Sequence, residues 1–108
     1  MEAANGNFDQ WRDEARFLCD QYSHAHSRAD FYYNEIYIVK RNSLELQPQL
    51  DRWLLYRNMV DRSLLLHFKR GQRWLIDEED MVTVFRLYLP FDVFYKFLSK
   101  ASPESRRV

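Results

Sequence analysis

The fold follows from residues 49–70, which read QLDRWLLYRNMVDRSLLLHFKR. At 100° per residue, seven apolar side chains of this stretch fall within one arc of about 140°. An apolar arc that persists over about six turns is typical of an amphipathic helix that packs on a core. We therefore expect this helix to lie at the centre of the protein. The seven residues are Leu50, Trp53, Leu54, Val60, Leu64, Leu65 and Phe68.

Signals at both ends of this stretch define its expected limits. Pro48 suits the first turn of a helix, where a backbone N–H has no partner, and residues 42–47 interrupt the apolar pattern before it. Gly71 is the expected C-terminal stop, after two basic residues have placed positive charge at the negative end of the helix dipole.

Two segments precede the central helix. Residues 8–23 repeat apolar side chains at steps of three and four, which predicts an amphipathic helix. Residues 31–40 are aromatic and β-branched, which favours a strand, yet Tyr32, Ile36 and Val39 share one helical face. We favour a helix here and keep a short strand or hairpin as the alternative.

Two further segments follow the central helix. Four consecutive carboxylates at 77–80 suit the positive end of a helix that is capped by Asp77 and continues to residue 89. Pro90 ends or kinks that helix, and aromatic residues at 91–98 form a last short apolar face.

The chain has 108 residues, which is the size of one domain. It contains only two glycines, which argues against a sandwich or barrel with frequent turns. We expect an all-α fold, a small bundle of four to five helices around 49–70, with α+β containing a strand or hairpin at 31–40 as the alternative. One helical domain at 7–100 would then have flexible ends at 1–6 and 101–108.

Charge and cysteine content exclude several classes of protein. Sixteen basic residues balance 16 acidic ones, so no net field attracts nucleic acid or an anionic membrane. The single cysteine, Cys19, cannot form an internal disulfide, which indicates a reducing compartment. No apolar run approaches the roughly 20 residues of a membrane-spanning helix, and neither glycine lies in a phosphate-binding loop. We expect an intracellular protein, cytoplasmic or nuclear, with no cofactor and no membrane partner.

Arg57 lies in the middle of the apolar arc, where a guanidinium needs a partner. Asp61, one turn further on, is the local candidate, and Glu35 and Asp92 are candidates across the core. We favour a buried ion pair that fixes the register of the helices. The alternative is that this face is a groove for a partner protein, with Arg57 as an anchor beside aromatic rings.

A basic stripe occupies the other side of the central helix. Residues 52–73 contain six basic side chains and one acidic one, Asp61. Arginine beside aromatic rings can bind single-stranded nucleic acid, although the acidic run at 77–80 can instead neutralise the stripe. The stripe consists of Arg52, Arg62, Lys69, Arg70 and Arg73, and the aromatic residues near it are Trp53, Tyr56 and Trp74.

The residues with metal-binding or nucleophilic chemistry do not form a recognised site. Cys19, His24 and His26 supply at most three zinc ligands from one segment. A dyad of Cys19 and His24 lacks an orienting third group and an oxyanion site. The acidic run at 77–80 lacks the spacing of a calcium loop. We therefore expect no metal site and no enzymatic activity.

The aromatic content is 17%, more than the interior of a small domain readily holds, so several rings should reach the surface. Exposed tyrosine and tryptophan are enriched where proteins contact one another. In its aromatic load and its 12 arginines against 4 lysines, the chain is similar to small viral accessory proteins, which implies a host protein as partner.

The function that we expect is that of a non-enzymatic adaptor or regulatory protein. It would bind another protein through the arginine and aromatic surface of the central helix and through Phe94 and Tyr95. The alternative is a helical module that binds nucleic acid through the stripe at 52–74. Self-association is compatible with both functions.

Overall fold

The computed structural model describes residues 2–41 and 43–101, with side chains from Asn7 onward. These ranges contain four α-helices, one π-helical segment and no strand. The prediction of an all-α bundle is therefore confirmed, and the alternative of a strand or hairpin at 31–40 is wrong. The elements are α1 (Glu2–Tyr33), the π segment (Asn34–Ile38), α2 (Ser43–Arg73), α3 (Glu78–Tyr88) and α4 (Phe91–Ala101).

The predicted N-terminal end of the domain can be compared with the start of α1. α1 begins at Glu2, inside the segment 1–6 that we expected to be flexible. The predicted C-terminal tail lies outside the described residues from Ser102 onward.

α1 and α2 form a long antiparallel hairpin that is closed by the π segment. α3 and α4 pack on one side of this hairpin, at the end where α1 starts and α2 finishes. We call that end the body and the two-helix remainder, residues 24–56, the arm. The molecule measures 56 × 30 × 18 Å. Because the arm projects from the body, the radius of gyration is 16.4 Å, against roughly 13 Å for a compact domain of this length.

Five large side chains fill the centre of the body. Trp11 comes from α1, Leu64 and Phe68 from α2, Phe85 from α3 and Phe97 from α4, and all are buried. The rings of Phe85 and Phe97 lie 4.6 Å apart, and Trp11 meets Phe85 edge-on at 5.4 Å. Such tilted and edge-on contacts suit the charge distribution of aromatic rings. The apolar arc of the central helix thus faces the core as predicted.

A reciprocal pair of hydrogen bonds joins α1 to α2 inside the body. Trp11 Nε1 donates to the carbonyl oxygen of His67, and His67 Nε2 donates to the carbonyl oxygen of Trp11, each at 2.8 Å. The two rings also stack, with centroids 4.8 Å apart. Burial lowers the pKa of His67 from its usual value, against a smaller opposing effect of the bond to Trp11. The imidazole is therefore held neutral, with its proton on Nε2.

α2 is longer than predicted at both ends. It starts at Ser43, so residues 43–47 do not interrupt it, and Pro48 lies inside its second turn. At the other end the helix continues past Gly71 to Arg73, so the predicted glycine stop is wrong.

The C-terminus of α2 has a left-handed residue other than glycine. Leu75 has φ 62°. The N–H of Ile76 bonds to the carbonyl of Gly71 at 3.0 Å, and that of Leu75 to the carbonyl of Gln72 at 3.1 Å. This is a Schellman arrangement, in which the left-handed position is usually glycine.

Gly71 has a packing role instead. It is buried, and a Cβ atom there would contact Met81 Sδ and lie 2.8 Å from Trp11 Nε1. The absence of a side chain therefore allows α2 to approach both α1 and α3 closely.

The predicted Asp77 cap and the predicted break at Pro90 are confirmed, whereas α4 continues to Ala101, a residue expected in the tail. The Asp77 carboxylate accepts a hydrogen bond from the N–H of Glu79 at 2.8 Å and caps α3. Pro90 separates α3 from α4, which presents Val93, Phe94 and Phe97 to the core. None of the described helices has an apolar stretch long enough to cross a bilayer.

Candidate protein-binding surface

One side of the α1–α2 hairpin is not covered by α3 or α4, and we call it the open face. It carries two successive grooves, of about 520 Å³ on the body and about 280 Å³ towards the arm. Both are lined by α1 and α2 alone. Asp13, Glu14, Phe17, Leu18, Ser63, Leu66, His67 and Arg70 line the larger groove, and Gln21, His24, Arg52, Trp53 and Tyr56 line the smaller one.

Four large apolar side chains on the open face are accessible to solvent. Phe17 on α1 and Leu55, Met59 and Leu66 on α2 are each 59–62% exposed. The three on α2 follow one another at steps of four and seven residues, so they form a single stripe. Sequence reasoning missed this stripe. The sequence does contain a sign of the stripe, since these three apolar residues of α2 lie outside the arc that was predicted to face the core.

An ion pair spans the body end of the larger groove. Arg70 Nη1 lies 3.6 Å from Glu14 Oε1, and the Arg70 guanidinium lies over the Trp74 ring at 5.9 Å. Glu14 Oε1 is buried, and no described residue donates a hydrogen bond to it. The groove therefore has an acidic wall on α1, a basic wall on α2 and an apolar floor between them.

The smaller groove contains three of the predicted contact residues, Arg52, Trp53 and Tyr56. The Tyr56 hydroxyl donates to Gln21 Oε1 at 2.8 Å, and the Trp53 ring meets His24 edge-on at 5.2 Å. Trp53 and Tyr56 are half-buried, while Arg52 is exposed at the rim. Part of each ring therefore remains available to a partner.

The ion pair predicted for Arg57 is wrong. Asp61 instead pairs with Lys100 at 3.1 Å, and Glu35 pairs with Arg41 at 3.8 Å. Arg57 is half-buried, its Nη1 lies 3.3 Å from His26 Nδ1, and no carboxylate among the described residues lies within 4 Å of it. α1 approaches α2 closely enough here for an imidazole to accept the bond that a carboxylate was expected to accept.

The predicted basic stripe is exposed along its whole length. Arg52, Arg62, Lys69, Arg70 and Arg73 all face solvent on α2, next to the apolar stripe of the open face. Trp74, predicted as a stacking residue, is half-buried against the core of the body.

The C-terminal aromatic residues divide between the core and the surface. Phe94, predicted as a contact residue, is 6% exposed and belongs to the core of the body. Tyr95 is exposed and packs edge-on against exposed Phe91 at 4.8 Å. Only Tyr95 of the predicted pair therefore presents its ring to solvent.

The groups with metal-binding or nucleophilic chemistry are dispersed. Burial, with Asp20 as a smaller cause, raises the pKa of the Cys19 thiol to about 12. His24 faces Trp53, whereas His26 stacks on Tyr22 at 6.0 Å. In the part of the chain that the structure describes, no three His, Cys, Asp or Glu side chains are grouped so that they could hold a metal ion.

Comparison with known proteins gives no relative from which a role could be transferred. No family model matches the chain, and neither the curated proteins nor the solved structures contain a match.

Proposed function

We propose that this chain is a non-enzymatic adaptor or regulatory protein that binds another protein through the open face. The observation that carries the proposal is the set of four exposed apolar side chains, Phe17, Leu55, Met59 and Leu66. Phe17 and Leu66 line the larger groove between α1 and α2, and Leu55 and Met59 continue the exposed apolar stripe along α2. A groove between two helices is the shape that accepts an amphipathic helix of a partner.

The size of this apolar surface supports a binding role. A fully exposed Leu, Met or Phe offers about 150–200 Å², so four side chains exposed by about 60% offer roughly 400 Å². The largest apolar patch on a monomeric protein is of about 300–600 Å² and is often functional. The open face falls within that range.

The rim of the open face adds residues that often dominate binding. Arg52, Arg62 and Arg70 border the apolar stripe, and part of the Trp53 and Tyr56 rings is accessible beside them. Arginine, tyrosine and tryptophan are the residues whose truncation most often weakens a protein interface. A polar rim of this kind around an apolar centre is typical of protein contact surfaces.

The state of the reactive groups supports a role other than catalysis. The Cys19 thiol is buried with its pKa at about 12, so little thiolate forms near neutral pH. The Nε2 proton of His67 is committed to the Trp11 carbonyl. Neither group is presented to a substrate as a nucleophile or base.

The proposal is tested by affinity purification of the tagged protein from a cell lysate, with and without nuclease. The variant Met59→Glu/Leu66→Glu places charge on the open face, while Leu87→Glu does so at an equally exposed position on α3. We expect the wild-type chain and Leu87→Glu to retain a nuclease-resistant protein partner that the double variant loses. Equal recovery by the two variants contradicts the proposal, provided that circular dichroism shows both to be folded.

A second candidate function is binding of single-stranded nucleic acid. The observation that favours it is the unbroken exposure of Arg52, Arg62, Lys69, Arg70 and Arg73 along one helix. Such binding weakens steeply with salt because counterions are released. Fluorescence anisotropy with a labelled oligonucleotide at low and raised salt, on the wild-type chain and on Arg62→Ala/Lys69→Ala, measures it directly.

A further inference from the structure

We infer that the open face binds a second copy of this chain, with the two copies related by a two-fold axis parallel to α1 and α2. This inference rests on the proposed function, since it names the partner of the same surface. It follows from how the open face matches itself under that symmetry, in shape, in charge and in area.

The arrangement of α1 and α2 suits a contact with two-fold symmetry. α1 and α2 are antiparallel neighbours in one layer, and no other helix among residues 2–41 and 43–101 covers their open side. A two-fold axis that runs along this layer places α1 of one copy over α2 of the other at the same level. The two hairpins then form a four-helix arrangement in which each new contact repeats the antiparallel pairing already present within the chain.

Apolar side chains on the two walls of the larger groove match each other under this symmetry. Phe17 and Leu66 line the same groove from opposite walls and therefore lie at the same level along the hairpin. Under the two-fold axis, Phe17 of one copy meets Leu66 of the other, and the contact occurs twice. A bulky ring on one wall thus faces an exposed aliphatic side chain on the other.

Opposite charges on the two walls of the larger groove also match each other under this symmetry. Glu14 and Arg70 face each other across the groove at 3.6 Å, which is too long for a hydrogen bond. The Glu14 side chain is 37% exposed, so the carboxylate remains accessible to a cation from another molecule. The symmetry brings Arg70 of the other copy to that level, where four charges of alternating sign would gather.

The area of the open face and the net charge of the chain are consistent with a dimer of low affinity. The roughly 400 Å² of apolar surface is about half of the 800 Å² per partner that a stable interface buries, and the polar rim supplies the remainder. The formal net charge is zero, so two copies do not repel each other at long range. We expect a dissociation constant of about 10–100 µM, since interfaces at the low end of the size range are weak.

The test is sedimentation equilibrium on the purified full chain from about 1 to 500 µM. The wild-type chain and Leu87→Glu should show a monomer–dimer equilibrium. Met59→Glu should weaken it at least about tenfold, because a buried charge without a partner opposes association. A wild-type chain that stays monomeric throughout this range overturns the inference.

A charge-exchange experiment tests the symmetry itself. Glu14→Arg alone places two arginines together at each contact between the copies, and Arg70→Glu alone places two glutamates together, so each variant should be monomeric. An equimolar mixture of the two variants allows opposite charges to meet across the interface and should dimerise again. Failure of the mixture to associate, or undiminished dimers of either single variant, overturns the inference.

The two proposals fail in different ways. If the purified wild-type chain is monomeric while Met59→Glu/Leu66→Glu still loses a partner in the lysate, the open face binds a different protein. The proposed function then stands and the dimer inference does not. If the chain dimerises but no further partner is found in the lysate, the dimer inference stands alone.

Discussion

The body and the arm are built from the same two helices, yet their cores differ greatly. In the body, α3 and α4 add a second layer, and the large side chains at the centre are buried. In the arm, α1 and α2 pack only on each other and on the π segment, and the buried apolar residues among those described are Ala25, Ala29, Ile36 and Leu50. A helix pair has one contact seam, so it can exclude water from few side chains, and a further layer is needed to enclose a large core.

The comparison also explains where binding surface remains. α3 and α4 cover only one side of the hairpin, so the other side keeps exposed apolar residues along both body and arm. Four sets of variants test whether the second layer of helices causes this difference between the body and the arm.

The same truncation should cost more in the body than in the arm. Leu64 and Leu50 are both buried in α2, but Leu64 belongs to a core built from four helices and Leu50 to a small cluster with Ala29 and Ile36. We expect Leu64→Ala to lower the free energy of unfolding by about 4 kcal/mol and Leu50→Ala by about 2 kcal/mol, since the arm can collapse around the gap. Urea denaturation followed by circular dichroism measures both. Equal losses would mean that the arm encloses Leu50 as tightly as the body encloses Leu64.

The close approach of helices in the body should make Gly71 sensitive to a single methyl group. Gly71→Ala puts a Cβ atom against Met81 and the Trp11 ring, so we expect a loss of about 2 kcal/mol despite alanine's higher helix propensity. Ser27→Ala at an exposed site on the arm is the control and should change stability by less than about 0.5 kcal/mol. A stabilising Gly71→Ala would show that the Trp11 ring moves aside freely.

The burial of His67 beside Trp11 should make the body sensitive to acid. The pKa of His67 is lower in the folded chain than in the unfolded chain, so the unfolded chain binds more protons as the pH falls below about 6.5. The stability that His67 contributes is therefore complete above that pH and declines below it. Urea denaturation at pH 7.5, 6.5 and 5.5 measures the decline, and His67→Gln should reduce it. Parallel pH profiles for the two proteins would contradict this role.

The end of α2 should be improved by glycine. Leu75 has φ 62° and is 90% exposed, so Leu75→Gly removes backbone strain without loss of buried area. We expect the free energy of unfolding to rise by about 0.5 kcal/mol, because the relief of backbone strain exceeds the cost of glycine's greater flexibility in the unfolded chain. Leu44→Gly, at an equally exposed helical position, should instead destabilise by up to about 1 kcal/mol. Thermal denaturation of the two variants distinguishes strain relief from a general effect of glycine.

Most of the fold could be predicted from sequence because helical periodicity and capping act over a few residues. The arc of the central helix, the Asp77 cap and the break at Pro90 all appear in the structure. The role of Gly71 could not be predicted, because local pattern cannot distinguish a glycine that ends a helix from one that packs against Trp11. Only the neighbouring helices distinguish these roles.

The candidate site was less accessible to sequence reasoning. The basic residues of α2 were expected on the surface and lie there, since charges stay in water unless they are paired. The exposed Leu55, Met59 and Leu66 were missed, because burial of an apolar residue depends on whether another helix covers it. An ion pair with a carboxylate was predicted for Arg57, yet its hydrogen-bond partner on α1 is His26.

By itself, the sequence determined that this protein is helical, where α3 begins and where α3 and α4 separate, and which face of α2 turns inward. These properties depend on the spacing of apolar residues and on caps, which involve residues at most a few positions apart. The tertiary structure decided that α3 and α4 cover only one side of the hairpin, leaving the open face accessible. That outcome depends on contacts between residues far apart in the chain, such as Trp11 with His67, and no local pattern specifies them.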